Sequence, residues 1–313
     1  MSAPASEDRS AARTGASVGA RPGGTGETEP FGTRLADAMD ARGPLCVGID
    51  PHPSLVRDWG LPDGVPGLRE FALRTLEAVG PYVAAVKPQA AFYERWGSAG
   101  MAVLEELIAG CRSAGVLCIV DAKRGDIGST MNGYADAFLG KDSPLAGDCV
   151  TLSPFLGYGS LAPAIAEARA TGRGVLVLAL TSNPEGAQVQ HARVASGASV
   201  AALIAAHAAV DNAEEVAGGA RLGTVGLVTG ATIGSAPGDV GADLAAVRGP
   251  LLAPGLGEQG GRPEDLPGTF GAAVGAVLAS ASRSVLRLGP DTTALGEAAK
   301  RLAGELAAAT GRG

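Results

Sequence analysis

The stretch Val116-Leu117-Cys118-Ile119-Val120-Asp121-Ala122-Lys123-Arg124-Gly125-Asp126-Ile127-Gly128-Ser129-Thr130 changes character in its middle. Its first five residues are apolar and rich in β-branched side chains, as a strand buried on both faces requires. Charges follow at once. Side chains alternate along a strand, so Asp121 and Lys123 are expected on one face and Ala122 on the other. A carboxylate and an ammonium at the end of a buried strand are costly unless paired. Function is the usual reason to keep them. A surface ion pair is the plainer reading, and the other strand ends weigh against it.

Working outward, eight apolar runs recur, at 45–50, 84–89, 117–123, 149–154, 175–182, 224–230, 251–257 and 276–282. Most are continuously apolar rather than alternating. Between them lie helix candidates at 67–79, 99–114, 161–171, 194–208 and 292–310, with a weaker one at 263–270 that Pro267 and Gly268 limit to about a turn. Asp291-Thr292-Thr293 reads as the cap of the last helix. Repeated strand–helix alternation predicts parallel strands with crossover helices. In a chain of 313 residues this points to an α/β fold, a (β/α)8 TIM barrel, over residues 31–313. An open doubly wound sheet is the alternative, but no GxGxxG follows the first strand.

Sites in such barrels form at the C-terminal ends of the strands. The first run ends in Asp50. The second carries Lys87-Pro88-Gln89, and the third Asp121 and Lys123, with Asp126 just beyond. The fifth ends in Thr181-Ser182-Asn183, the seventh in a glycine-rich loop from Gly255 to Gly261, and the eighth in Ser282-Arg283. The loops after the last two strands are the usual phosphate location in this fold. Small residues bring backbone N–H groups close, and Arg283 offers a forked donor. Arg262 and Arg287 nearby read as solvent-facing. Lys87, Asp121, Lys123 and Asp126, alternating in sign, could all stay ionised as a preorganised field. A paired lysine beside a phosphate anchor suggests carbanion chemistry on a phosphorylated substrate, the lysine stabilising and protonating the carbanion.

Composition narrows the classes. The chain is 46% hydrophobic, with net charge -7 and no Lys/Arg-rich run, which argues against nucleic acid or an anionic membrane as partner. No stretch is apolar for long enough to span a bilayer, and residues 1–30 lack the core of a signal peptide. That tail, rich in Ala, Gly, Ser, Pro and Thr, is expected to be disordered and the protein cytoplasmic. Cys46, Cys111, Cys118 and Cys149 have no metal-ligand spacing and read as reduced core residues. His52, His191 and His207 are scattered, giving no support to a nucleophilic triad.

Asp121-x-Lys123-x-x-Asp126-Ile127-x-x-Thr130 resembles the signature of the orotidine 5'-phosphate decarboxylases. The resemblance runs through Val47-Gly48-Ile49-Asp50, Val86-Lys87-Pro88-Gln89, Thr181-Ser182-Asn183-Pro184, the Pro254–Gly261 loop and Ser282-Arg283. Asp50-Pro51-His52-Pro53 and Lys87-Pro88-Gln89 look most like the longer bacterial branch, type 2. The resemblance implies decarboxylation of orotidine 5'-phosphate to UMP in pyrimidine biosynthesis, without metal or organic cofactor. It implies that Lys123 protonates the sixth ring carbon, that Asp121 faces the departing carboxylate, and that Lys87 and Asp50 contact the ribose and hold the charged network. Ser182 would bind the pyrimidine, and Gln259 and Arg283 the phosphate. It also implies a homodimer in which Asp126, Ile127 and Thr130 reach the partner's site. Two alternatives compete. Magnesium-dependent sugar-phosphate decarboxylases and synthases share the Asp-x-Lys-x-x-Asp pattern, but Lys87 would repel a metal there. A non-catalytic nucleotide-binding protein would be expected to have lost one of the charges, yet all are present.

Overall fold

The computed structural model describes residues 29–312. Eight parallel strands close into a barrel in chain order. They are β1 (Leu45–Ile49), β2 (Ala85–Pro88), β3 (Leu117–Arg124), β4 (Cys149–Leu152), β5 (Gly174–Leu180), β6 (Val225–Thr229), β7 (Leu251–Pro254) and β8 (Val277–Ala281). β1 closes the ring by pairing in parallel with both β2 and β8. The expected TIM barrel is therefore the fold, and each apolar run supplies one strand. The disorder expected for residues 1–30 falls almost wholly outside the described residues.

Helices Val65–Val79, Gly97–Ala114, Ala162–Thr171 and Thr292–Ala309 lie within a few residues of their expected positions. Asp291 caps the last one, its carboxylate accepting from the Thr293 and Ala294 amides. The helix expected at 194–208 is displaced. It runs from Val200 to Ala217, because Ser199 caps it by accepting from the Ala202 amide, while Arg193 and Ser199 are bridged in a turn. The 263–270 segment is a 3-10 turn, Pro263–Asp265, leading into the short helix Leu266–Phe270.

A helix not expected from the sequence, Phe31–Arg42, closes the bottom of the barrel. Its Phe31, Leu35 and Met39 pack with Cys46, Ala85, Ile119, Cys149, Leu176, Val228, Leu252 and Leu278, one residue from each strand. All three helix side chains are fully buried, worth roughly 1.5–3 kcal/mol each by transfer. The fit is close: a Cβ on Gly174 would stand 2.1 Å from the Phe31 ring. All four cysteines are buried free thiols, and burial pushes Cys46 up to about 12, so it stays protonated.

This apolar plug fixes what lies above it. Residues two further along a strand share its face. Two steps beyond Ala85, Ile119, Cys149 and Leu278 come Lys87, Asp121, Thr151 and Ser280, all buried polar residues. The barrel interior is thus dry at the bottom and charged at the C-terminal mouth.

Candidate active site

Asp121 is the centre of the mouth. Its Oδ2 accepts from Lys87 Nζ at 2.8 Å, and its Oδ1 from Lys123 Nζ at 2.6 Å and from Thr151 Oγ1 at 2.8 Å. The Asp121 and Lys87 side chains are under 10% exposed, whereas Lys123 is 42% exposed. Burial opposes the charge on Asp121, but the two ammonium groups prevail and hold its carboxyl well below the usual carboxylate range. Burial also opposes the charge on Lys87, and Asp121 and then Asp50 raise it above the ordinary lysine value. Both partners therefore remain ionised in a site from which water is largely excluded.

Asp121 and Lys123 meet as expected, but not through regular alternation. The pairing of β3 with β4 shifts register between Val120 and Arg124, and Lys123 adopts φ +48°. A non-glycine residue in that region is uncommon and carries strain, which here turns the ammonium back onto Asp121. Thr151 holds the distortion by accepting from the Lys123 amide at 2.9 Å while donating to Asp121. Gln89 adds a second clamp, donating to the Asp121 carbonyl at 3.2 Å and accepting from Lys123 Nζ at 3.4 Å.

Asp50 follows β1 and turns over Gly48, where a Cβ would lie 2.8 Å from Asp50 Oδ2 and 3.0 Å from Ser282 Cβ. A side chain at position 48 would therefore fill the space between strands one and eight. Asp50 Oδ1, Thr229 Oγ1 and Ser282 Oγ are buried without a hydrogen-bond partner, at the ends of β1, β6 and β8. Such atoms are costly unless a ligand or water satisfies them.

On the far side of the mouth Ser182 and Gln259 come together, Ser182 Oγ donating to Gln259 Oε1 at 2.8 Å. The Gly255–Gly261 segment is a tight loop rather than a floppy one. The Gly257 amide donates to the Gly261 carbonyl and the Gly261 amide to Gly255, at 2.9 and 3.1 Å. Gly257 has φ +74°, and a Cβ there would stand 2.8 Å from Ser284 Cβ, so the loop rests on the segment carrying Arg283. Arg283 pairs with Glu258 at 3.0 Å. Arg287, expected to face solvent, is 58% exposed but also pairs with Glu258, whereas Arg262 pairs with Asp265.

Asp126, Ile127 and Thr130 are not part of this cluster within one chain. Asp126 Oδ1 accepts from the Ile127 amide at 2.8 Å, and Ile127 is 62% exposed. Among the described residues the charges that meet are Lys87, Asp121 and Lys123, with Asp50 acting on Lys87, while the expected fourth member, Asp126, makes no ion pair there. Thr151 is not among the residues singled out from the sequence, and Gln89 is there only as part of the Lys87-Pro88-Gln89 motif, without a role. Thr151 is the one polar side chain in Cys149–Leu152, and its position two beyond an inward cysteine was the available signal.

Residues 43–298 match the orotidine 5'-phosphate decarboxylase / HUMPS family. A Streptomyces coelicolor protein named orotidine 5'-phosphate decarboxylase is 56% identical over 278 residues, 89% of this chain and 97% of that one. One of the same name from Salinispora arenicola is 56% identical over 282 residues, 90% of this chain and 98% of its own. A crystal structure from Streptomyces avermitilis carrying that enzyme name superposes with a TM-score of 0.86 at 57% identity, covering 91% of this chain and 97% of that chain. A Leishmania donovani OMP decarboxylase structure gives a TM-score of 0.70 at 30% identity, covering 90% and 99%.

Proposed function

Since the chain belongs to the orotidine 5'-phosphate decarboxylase / HUMPS family, we propose that it decarboxylates orotidine 5'-phosphate to UMP, a reaction of pyrimidine biosynthesis. The observation that carries this reading is the Asp121 carboxylate held between two lysines at the barrel mouth. Its relatives' names favour the decarboxylase over the sugar-phosphate branch of the family. So does buried Lys87, whose ammonium would repel a metal ion.

In this reading the substrate carboxylate lies against Asp121. The bond between it and the sixth ring carbon breaks, carbon dioxide leaves, and the electron pair stays on that carbon in an sp² orbital outside the ring π system. Lys123 Nζ stabilises this charge and transfers its proton to the carbon, and solvent at the mouth restores it. A cation already fixed on Asp121 suits that task, since it needs little reorganisation as charge develops once loop closure excludes water. Lys87 keeps Asp121 ionised when Lys123 turns to the substrate. Asp50 and Lys87 bind the ribose hydroxyls, which supplies partners for the orphaned Asp50 Oδ1. Ser182 reads the pyrimidine, and Gln259 and Arg283 hold the phosphate. The phosphate is remote from the reacting carbon, so its binding energy can drive loop closure and water exclusion.

The enzyme is proposed to act as a cytoplasmic homodimer, its barrel spanning residues 31–313 behind an N-terminal tail. Among the described residues no helix is long and apolar enough to cross a membrane. Apolar side chains stand out beside the mouth: Ile127 is 62%, Phe155 76% and Leu156 54% exposed. The loops carrying them are tied where the Ser153 amide donates to the Arg124 carbonyl at 2.7 Å. A second copy covering this surface would bring Asp126, Ile127 and Thr130 to its own mouth.

The test is the absorbance change of orotidine 5'-phosphate on adding purified protein, with and without EDTA. Turnover that survives EDTA is the expected result. No turnover, or turnover abolished by EDTA, would favour a binding protein or the metal-dependent branch.

A further inference from the structure

Glu258 stands where a phosphate is expected. Its Oε1 lies 3.0 Å from Arg283 Nη1 and 3.0 Å from Arg287 Nη2, and its Oε2 lies 2.8 Å from Arg287 Nη1. Arg287 thus grips both carboxylate oxygens in a fork, while Arg283 touches one. The neighbouring Gln259 accepts from Ser182 Oγ at 2.8 Å. One acidic side chain therefore serves two guanidinium groups beside the mouth, and its hold on Arg283 is the weaker of the two by geometry.

We infer that Glu258 is a positioning residue, a resident counter-anion that occupies Arg283 until a phosphate monoester replaces it and that Arg287 retains when the exchange occurs. This rests on the phosphate role proposed for Arg283. Three features support the exchange. The Glu258 side chain is 28% and Arg283 40% exposed, so their contact is solvent-screened and cheap to break. The two-pronged hold by Arg287 survives loss of the Arg283 contact. The loop is closed on itself by hydrogen bonds between Gly257 and Gly261 and between Gly261 and Gly255, which keeps Glu258 beside the arriving phosphate. A carboxylate kept there repels a phosphate dianion. It therefore limits affinity for every phosphorylated ligand, product included, and favours turnover over retention.

The experiment compares UMP and uridine binding by calorimetry in the wild-type protein, Glu258→Gln and Arg287→Gln, with orotidine 5'-phosphate turnover measured alongside. Glu258→Gln is expected to tighten UMP by about two- to fivefold, the range for a part-exposed charge contact, and to leave uridine unchanged. Arg287→Gln leaves Glu258 on Arg283 alone and is expected to weaken UMP by a similar factor, again sparing uridine. A Glu258 that merely braces the loop predicts the opposite sign, weaker UMP in Glu258→Gln. That result, an unchanged UMP affinity, or equal effects on uridine would overturn the inference while wild-type turnover left the decarboxylase reading intact. A wild-type protein that neither turns over orotidine 5'-phosphate nor prefers UMP to uridine would overturn both.

Discussion

Lys87 and Asp121 form a buried ion pair, 2.8 Å apart, each side chain less than a tenth exposed. A buried pair gains little over well-packed apolar residues, but breaking one is severe because it strands the other charge. Asp121→Asn would leave Lys87 charged in the barrel without its partner. The expected loss of stability is about 3–5 kcal/mol, read by urea denaturation, together with a collapse of turnover. A variant as stable as the parent would show that the pair is not the constraint described.

The same carboxylate sets an acid limb. The folded pKa of Asp121 lies below the ordinary 3.8, because Lys87 and Lys123 outweigh burial. Its contribution to stability is thus present above pH 3.8 and is lost as pH falls from there toward the folded value. Lys87 works in the other direction. Its folded pKa is raised, so its contribution is present below 10.5 and fades only as pH climbs through the folded value. Denaturation series from pH 5 downward should show stability falling more steeply in the parent than in Asp121→Asn. Parallel curves would contradict the assignment.

Thr151 connects the strained Lys123 backbone to the Asp121 carboxylate. Thr151→Val keeps the shape and removes both hydrogen bonds. Turnover is expected to fall roughly ten- to hundredfold, as loss of two such bonds implies, with the Michaelis constant little changed. A rise in the Michaelis constant alone would place Thr151 in substrate binding instead.

Arg283→Ala removes the proposed phosphate donor. The Michaelis constant for orotidine 5'-phosphate should rise roughly ten- to hundredfold, as loss of a hydrogen bond to a charged group implies, and uridine inhibition should not move. An unchanged Michaelis constant would count against Arg283 as the anchor.

The apolar surface at Phe155 predicts assembly. Light scattering should give a dimer for the parent, and Phe155→Glu should shift it to monomer with loss of turnover. A parent that is monomeric and fully active would remove the shared-site proposal.

The barrel was legible because its strands are buried on both faces, and a continuous apolar run ended by turn residues survives even in an alanine-rich chain. Helix limits were less legible for the same reason. Alanine suits buried and exposed faces alike, so only the Ser199 cap marks where Val200–Ala217 begins. Phe31, Leu35 and Met39 recur at helical spacing, but this short stripe abuts a tail of small residues, which masks its helical signal. In the site, charged residues announce themselves, so Lys87, Asp121 and Lys123 were found. Thr151 and Gln89 are ordinary residue types, and their roles come from closure of the barrel, which sets β2 and β4 on either side of β3. The turn at Lys123 has no sequence signal, since a positive φ is usually announced by glycine.

The most direct measurement is Lys123→Ala, assayed for orotidine 5'-phosphate decarboxylation and, separately, for UMP binding. Lys123 is proposed as both the stabilising cation and the proton donor. Turnover should therefore fall by at least about a thousandfold while UMP still binds through Arg283, Gln259 and Ser182. Near-normal turnover in this variant would contradict the account at its centre.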